Sequence, residues 1–264
     1  MRNSILLVFF LFLKHDVTAQ DSLARANARL DRNELESARL DYSRLSQSPD
    51  SSPDLVAECQ SRIIYSWLRQ NEPQSAVAYV ERVVLPKYEQ LYPQLSRERR
   101  KALGAWVAYA YAYGQKAEKA RNWLAEVQIP KEEGMNFELA STLSHAYAAL
   151  GEYQTADRLA GIALEQLSGT ADGIPAVAAG LLLRADIARL AGDRKNTKKF
   201  VIAAWDHAKR NREAIPPFFF HALCKALAED AGKEFHSTVK TECQAVMFPP
   251  SRAQTVEVLG LIPR

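Results

Sequence analysis

The sequence predicts an all-α fold, an α-solenoid of about five to six antiparallel helix hairpins, on three observations. The first is the segment Leu143 to Leu164, which reads as two helices joined at Gly151. Ser144, Ala148, Ala156, Ala160 and Ala163 fall where the helices cross, and larger side chains there would prop the pair beyond the ~8–10 Å spacing of packed helices. The second is recurrence: with Ala156 as marker, similar positions fall at Ala38, Ala76, Ala120, Thr197 and Ser237, separated by 38, 44, 36, 41 and 40 residues. One hairpin has too little core to stand alone, so copies at a period of about 40 residues imply an array in which neighbours stack. The third is composition, since 47% hydrophobic residues fill a core and 25% charged residues cover it, which argues against disorder beyond short segments.

The units follow in chain order. In the first, ELESARLDYSRLSQ supplies a second helix, and Ser46 to Pro53 is a polar Ser/Pro connector. The second, IIYSWLRQNEPQSAVAYVERVV, turns at Asn71 to Pro73, and Leu85 to Pro93 reads as a break with two prolines around a Tyr-rich turn. The third, GAWVAYAYAYGQKAEKARNWLAEV, sets Tyr111 and Ala120 in register with Tyr147 and Ala156 of the fourth. Ile129 to Gly134 and Gly169 to Pro175 separate the later units. The fifth turns at Ala191-Gly192 and the sixth at Ala231-Gly232. Pro216-Pro217 opens the helix FFFHALCKALAED. Pro249-Pro250 ends the sixth unit, and 249–264 is expected to cap the terminal apolar surface.

The fourth copy carries a family resemblance. Leu143, Ser144, Tyr147, Gly151, Tyr153, Ala156 and Ala163 occupy the pattern of the tetratricopeptide repeat (TPR), a helix-turn-helix unit with small residues at the crossing. The family's Trp is Ala140 here, no Pro closes the unit, and the period is longer, so "TPR-like" is the fitting description. The resemblance covers most of residues 24 to 246. It implies a right-handed solenoid over 20–264 whose function is to bind another protein.

The first nineteen residues follow a different logic. Arg2 precedes the unbroken apolar run Ile5 to Leu13, too short for the ~20 residues that span a bilayer, and Val17-Thr18-Ala19 is a small-x-small site. This predicts a secretory signal peptide over 1–19, cut after Ala19, and a periplasmic or secreted protein with no stable membrane anchor. The formal net charge is +3.

Three cysteines are present: Cys59, Cys224 and Cys243. In an oxidising compartment Cys224 and Cys243 are the plausible pair, because they lie equally far from the turn at Lys233-Glu234; the alternative is three buried thiols. His221, Cys224, His236 and Cys243 are the ligand types of a zinc site, but His236 and Cys243 are two helical turns apart, roughly 10 Å of rise. No metal or cofactor is expected. There is no G-x-S-x-G, H-E-x-x-H or Gly-rich phosphate loop, so no enzyme is expected either. The rival reading is a helical envelope enzyme or its accessory subunit, as in the lytic transglycosylases with their superhelix; a third is a structural spacer. The basic clusters RERRK (97–101) and RKNTKK (194–199) are not interleaved with aromatics, which argues against nucleic acid.

The expected functional surface comes from geometry. First helices line the concave wall of a hairpin stack, and the residue two before each Tyr-equivalent should face that groove. This gives Tyr65, Tyr109, His145 and Asp186, with Arg69 and Tyr113 one turn further along. Such a row suits an extended peptide or a partner helix, because aromatic rings bury area at little rotamer cost and Arg binds carboxylates. A shift of one register position would instead pack Tyr109 and Tyr113 against the neighbouring hairpin, and the sequence leaves both placements open.

Overall fold

The computed structural model describes residues 20–127, 135–167, 174–215 and 217–230, together with 232, 235 and 243. The predicted signal peptide, the capping segment 249–264 and the marker Ser237 lie outside these residues. The described residues are all-helical, with no strand among them. The chain divides into two compact units, Met1–Val107 and Ala108–Arg264, and the division falls inside one helix.

In the first unit, α1 (20–31) and α2 (Leu35–Gln47) pack through Ala26, Leu30, Leu35, Ala38 and the fully buried Tyr42. The Tyr42 hydroxyl donates to Asn27 Oδ1 at 2.6 Å, which satisfies a polar group that would otherwise be costly to bury. The helix α3 (Pro53–Arg69) starts where the Ser/Pro connector predicts: the Ser52 hydroxyl accepts from the Leu55 N–H, and Pro53 needs no partner for a missing N–H. The second proline stretch breaks the helix only at its end, where Tyr92–Gln94 forms a 3₁₀ turn with Pro93, and not at Pro86. Between α4 (Pro73–Tyr79) and α5 (Leu85–Leu91) the chain runs through a π-turn, Val80–Val84, in which the Leu85 N–H reaches back five residues to the Val80 carbonyl. Pro86 has no N–H to give to Arg82, and a local widening absorbs that loss without ending the helix. A 3₁₀ turn, Tyr92–Gln94, leads to α6 (Arg97–Tyr113), where the division between the units falls.

The second unit continues with α7 (Ala117–Val127), α8 (Phe137–Ala149), α9 (Tyr153–Leu167), α10 (Ile174–Leu190), α11 (Arg194–Arg210) and α12 (Pro217–Asp230). From α8 onward each helix packs on the next in the chain. At the α8–α9 crossing Ala156 and Ala160 are fully buried, and the buried Ser144 hydroxyl donates to the Ala156 carbonyl at 2.7 Å, so the small residues permit a helix-to-helix hydrogen bond. At the α9–α10 crossing a Cβ on Gly180 would lie 2.7 Å from Leu164 Cδ2, so only glycine admits this approach without a shift. Asn136 and Asp193 cap α8 and α11 through hydrogen bonds from Leu139 and Asn196 N–H.

One backbone device recurs through the chain. Asn33, Asn71, Gln115, Gly151, Gly192 and Gly232 all have positive φ, between 58° and 98°. Their separations are those of the marker residues, each of which sits five positions later, and Ala38, Ala76, Ala120, Ala156 and Thr197 are all buried. At the first five of these turns the following residue's N–H returns five residues to the carbonyl near the helix end, as from Glu152 to Tyr147, while the left-handed residue bonds three back, as from Gly151 to Ala148. This is the Schellman closure of a helix C-terminus. In the third copy the left-handed residue is Gln115, not the adjacent Gly114. An L side chain in that conformation costs about 1 kcal/mol, so Gln115→Gly is expected to raise stability by about that amount. A urea midpoint that stays put or falls would show that the turn carries no such strain.

Candidate functional site

The predicted surface residues fall in both units. Tyr65 is half-buried in the first, its ring 5.4 Å from that of Trp106 and tilted by 58°. Arg69 reaches across the same unit and donates to the Leu30 carbonyl at 2.8 Å, holding α3 against the end of α1. Both therefore serve the packing of their own unit.

The second unit brings the remaining four onto its first helices. Tyr109 on α6 stacks on His145 of α8, with ring centroids 5.2 Å apart and planes within 15°, and Tyr113 lies tilted against Tyr109 at 5.9 Å. Tyr109 and Tyr113 are 1% and 2% exposed. The packed placement is therefore the one found, and neither ring lines an open groove. Burial raises the Tyr113 phenol to about 12 and holds His145 down at about 4, since a charged imidazole would lose its hydration. His145 is only partly buried as a residue, yet its Nδ1 is fully buried and has no hydrogen-bond partner. It is a neutral ring over a wide pH range, unsuited to passing protons at pH 7.

On α10 and α12 the site becomes ionic. Arg189 donates to Asp186 on its own helix and forks onto Asp230 of α12 at 2.5 and 3.3 Å. Burial lifts Asp186 to about 6, against the pull of Arg189, with Asp230 adding repulsion. Burial also works against the Arg189 charge, but the bond to Asp230 and the two carboxylates outweigh it, so its pKa is raised. Two carboxylates share one guanidinium, and burial makes the Asp186 carboxyl easier to protonate than an ordinary aspartate. Sequence reasoning found Asp186 but missed Arg189 and Asp230. Their spacing of 41 residues, one repeat, was the signal that could have paired them. A second ion pair, Arg184 forked onto Asp157 at 2.7 and 2.7 Å, joins α10 to α9.

The cysteine chemistry is structural. Cys224 and Cys243 form a disulfide with Cα atoms 5.8 Å apart, which removes both thiolates as metal ligands. The side chains of His221 and His236 lie outside the described residues. Cys59 is buried and its thiol is pushed up to about 12, chiefly by burial, so it is not an available nucleophile. Among the described residues no group of three or more His, Cys, Asp or Glu is placed to hold a metal ion, and no helix is long and apolar enough to cross a membrane. A scan against protein-family models finds no match to the chain, and a search of curated proteins finds no matching relative.

Proposed function

We propose that the chain is a TPR-like scaffold, a right-handed α-solenoid of about five to six hairpins, which catalyses nothing and binds an extended peptide or partner helix of another protein. The observation that carries this reading is the turn that recurs at 38, 44, 36, 41 and 40 residues with a left-handed residue each time. A chain built by repeating one hairpin buries each unit's surplus apolar face on the next and leaves a wall of first helices. In the second unit that wall carries the edge of His145 and the Asp186–Arg189–Asp230 cluster. These groups offer both signs of charge, which suits a polypeptide better than a single small ion. Export is part of the proposal. The apolar run Ile5 to Leu13 and the Cys224–Cys243 bridge both suit an oxidising compartment.

The test has two stages. Pull-down of the tagged full-length protein with mass spectrometry identifies a partner, and its affinity is then measured for the wild type and for Arg189→Gln combined with Asp230→Asn. Asp186→Asn is included in the same variant, so that no carboxylate of the cluster is left buried without its cation. About tenfold weaker binding with unchanged far-UV helix content is expected. Equal affinity would remove the wall from the binding surface.

A further inference from the structure

The segment joining α4 to α6 forms a second surface, wholly within the first unit and independent of the reading above. Neither α5 nor the 3₁₀ turn after it contains a buried residue. Tyr92 is 37% exposed and, with Leu40, one of two large apolar residues so exposed among the described residues. A soluble surface tolerates single exposed side chains, but here the exposure comes with organisation. The rings of Tyr88 and Tyr92 lie 4.9 Å apart with a 46° tilt, and the Arg100 guanidinium sits over Tyr92 at 5.1 Å. The basic run at the start of α6, which carries no aromatic of its own, is thereby folded against two tyrosines eight and twelve residues upstream.

Residues 85–101 contain five basic side chains, Lys87, Arg97, Arg99, Arg100 and Lys101, against Glu89 and Glu98, and α3 brings Asp54, which accepts from the Ser96 N–H at 2.9 Å, and Glu58 to the same segment. Arg99 is committed inward, donating to Glu58 at 2.6 Å. Arg97 and Lys101 are four apart and so share a face of α6, with Arg100 three from Arg97 on the same side. Arg97 and Lys87 are exposed, and no described carboxylate pairs with Lys87, Arg97 or Lys101.

We propose that Tyr92, Arg97, Arg100 and Lys101 form a docking surface for an acidic, extended segment of another protein. Carboxylates of the guest would meet Arg97 and Lys101, and an apolar guest side chain would cover the exposed edge of Tyr92. Arg100, held against Tyr92, is already positioned, which lowers the ordering cost of binding. Nucleic acid is the less suitable guest. Tyr92 has Arg100 over its ring and Tyr88 tilted against it, so the pair offers no run of open faces on which successive bases would stack.

Fluorescence anisotropy of the full chain provides the test. The probes are a short fluorescein-labelled peptide of repeating Glu-Asp-Leu, its Lys-Arg-Leu counterpart, and a labelled oligothymidylate of equal length. The acidic peptide is expected to bind, with affinity that falls as salt rises, and the basic peptide not to bind. Arg97→Glu with Lys101→Glu should weaken the acidic peptide about tenfold, and Tyr92→Ala should weaken it at every salt concentration. Arg97→Glu places an acidic residue in the first turn of a helix, where it is favoured, so the fold should survive. Failure of the acidic peptide to bind the wild type, or equal binding by the charge-reversed variant, overturns the proposal. Tighter binding of oligothymidylate than of the acidic peptide also overturns it and assigns the surface to nucleic acid.

Discussion

Replacing Cys224 and Cys243 together by alanine is expected to lower the unfolding free energy by about 3 kcal/mol, the loop-closure value for a bridge that spans about twenty residues. The two half-cystines are 19 residues apart and tie α12 to position 243. In the unfolded chain that bridge removes conformations that the reduced chain regains, and the native contacts themselves change little. Cys224 and Cys243 are 3% and 0% exposed and belong to the core of Trp205, Phe220, Leu223, Ala226 and Leu227, so truncation adds a small packing loss to the entropic one. Guanidinium denaturation of the oxidised wild type, the reduced wild type and the double variant measures the effect. The reduced protein and the variant should have similar midpoints, both well below the oxidised one. Thiol titration in denaturant gives an independent reading: one reactive thiol per chain, Cys59, where three would signal no bridge. Coincident midpoints for all three samples would mean that the bridge contributes nothing.

The hairpin turns were legible because their causes are local. A small residue five positions after a left-handed one marks a helix crossing in any copy, so Ala38, Ala76, Ala120, Ala156 and Thr197 could be picked out by spacing and are all buried. Cys224 and Cys243 could be paired by distance from a turn for the same reason. What failed to show was orientation. Every residue from Leu103 to Gly114 is buried, so the third first-helix has no polar face from which to fix the direction of Tyr109 and Tyr113. An amphipathic pattern sets helix phase only where one side is wet. The expected break over Leu85 to Pro93 appears only at Tyr92–Gln94, and Pro86 did not reveal itself for the opposite reason: a π-turn is a backbone adjustment with no side-chain signature, and Leu85–Leu91 stays helical after it. Pairs such as Arg189 with Asp230, one repeat apart, become visible only once the helices are placed side by side.

His145→Phe is expected to flatten the acid limb of the stability curve. In the folded chain burial holds the imidazole at about 4, below its ordinary 6.5, so the unfolded chain takes up a proton first as pH falls. The sign follows directly. Above pH 6.5 both states are neutral at this position and it has no effect; between 6.5 and about 4 the unfolded state binds more protons, and stability is lost as pH falls. The loss between pH 7 and 4.5 is roughly 2 to 3 kcal/mol by the linkage of pKa to stability. Phenylalanine keeps a ring against Tyr109 and removes the unpartnered Nδ1, so the variant should match or exceed the wild type at pH 7 and exceed it clearly at pH 4.5. Asp186 acts in the other direction. Burial raises it to about 6, so the unfolded carboxyl ionises first, and its contribution to stability grows as pH falls through 6 towards its ordinary 3.8. In the wild type the two slopes partly cancel, and an Asp186→Asn background exposes the histidine alone. Urea midpoints at pH 7 and 4.5 for Asp186→Asn, with and without His145→Phe, therefore measure one ionisation: parallel losses in the two proteins would mean that His145 takes up its proton as easily folded as unfolded, and that its ring is not held dry against Tyr109.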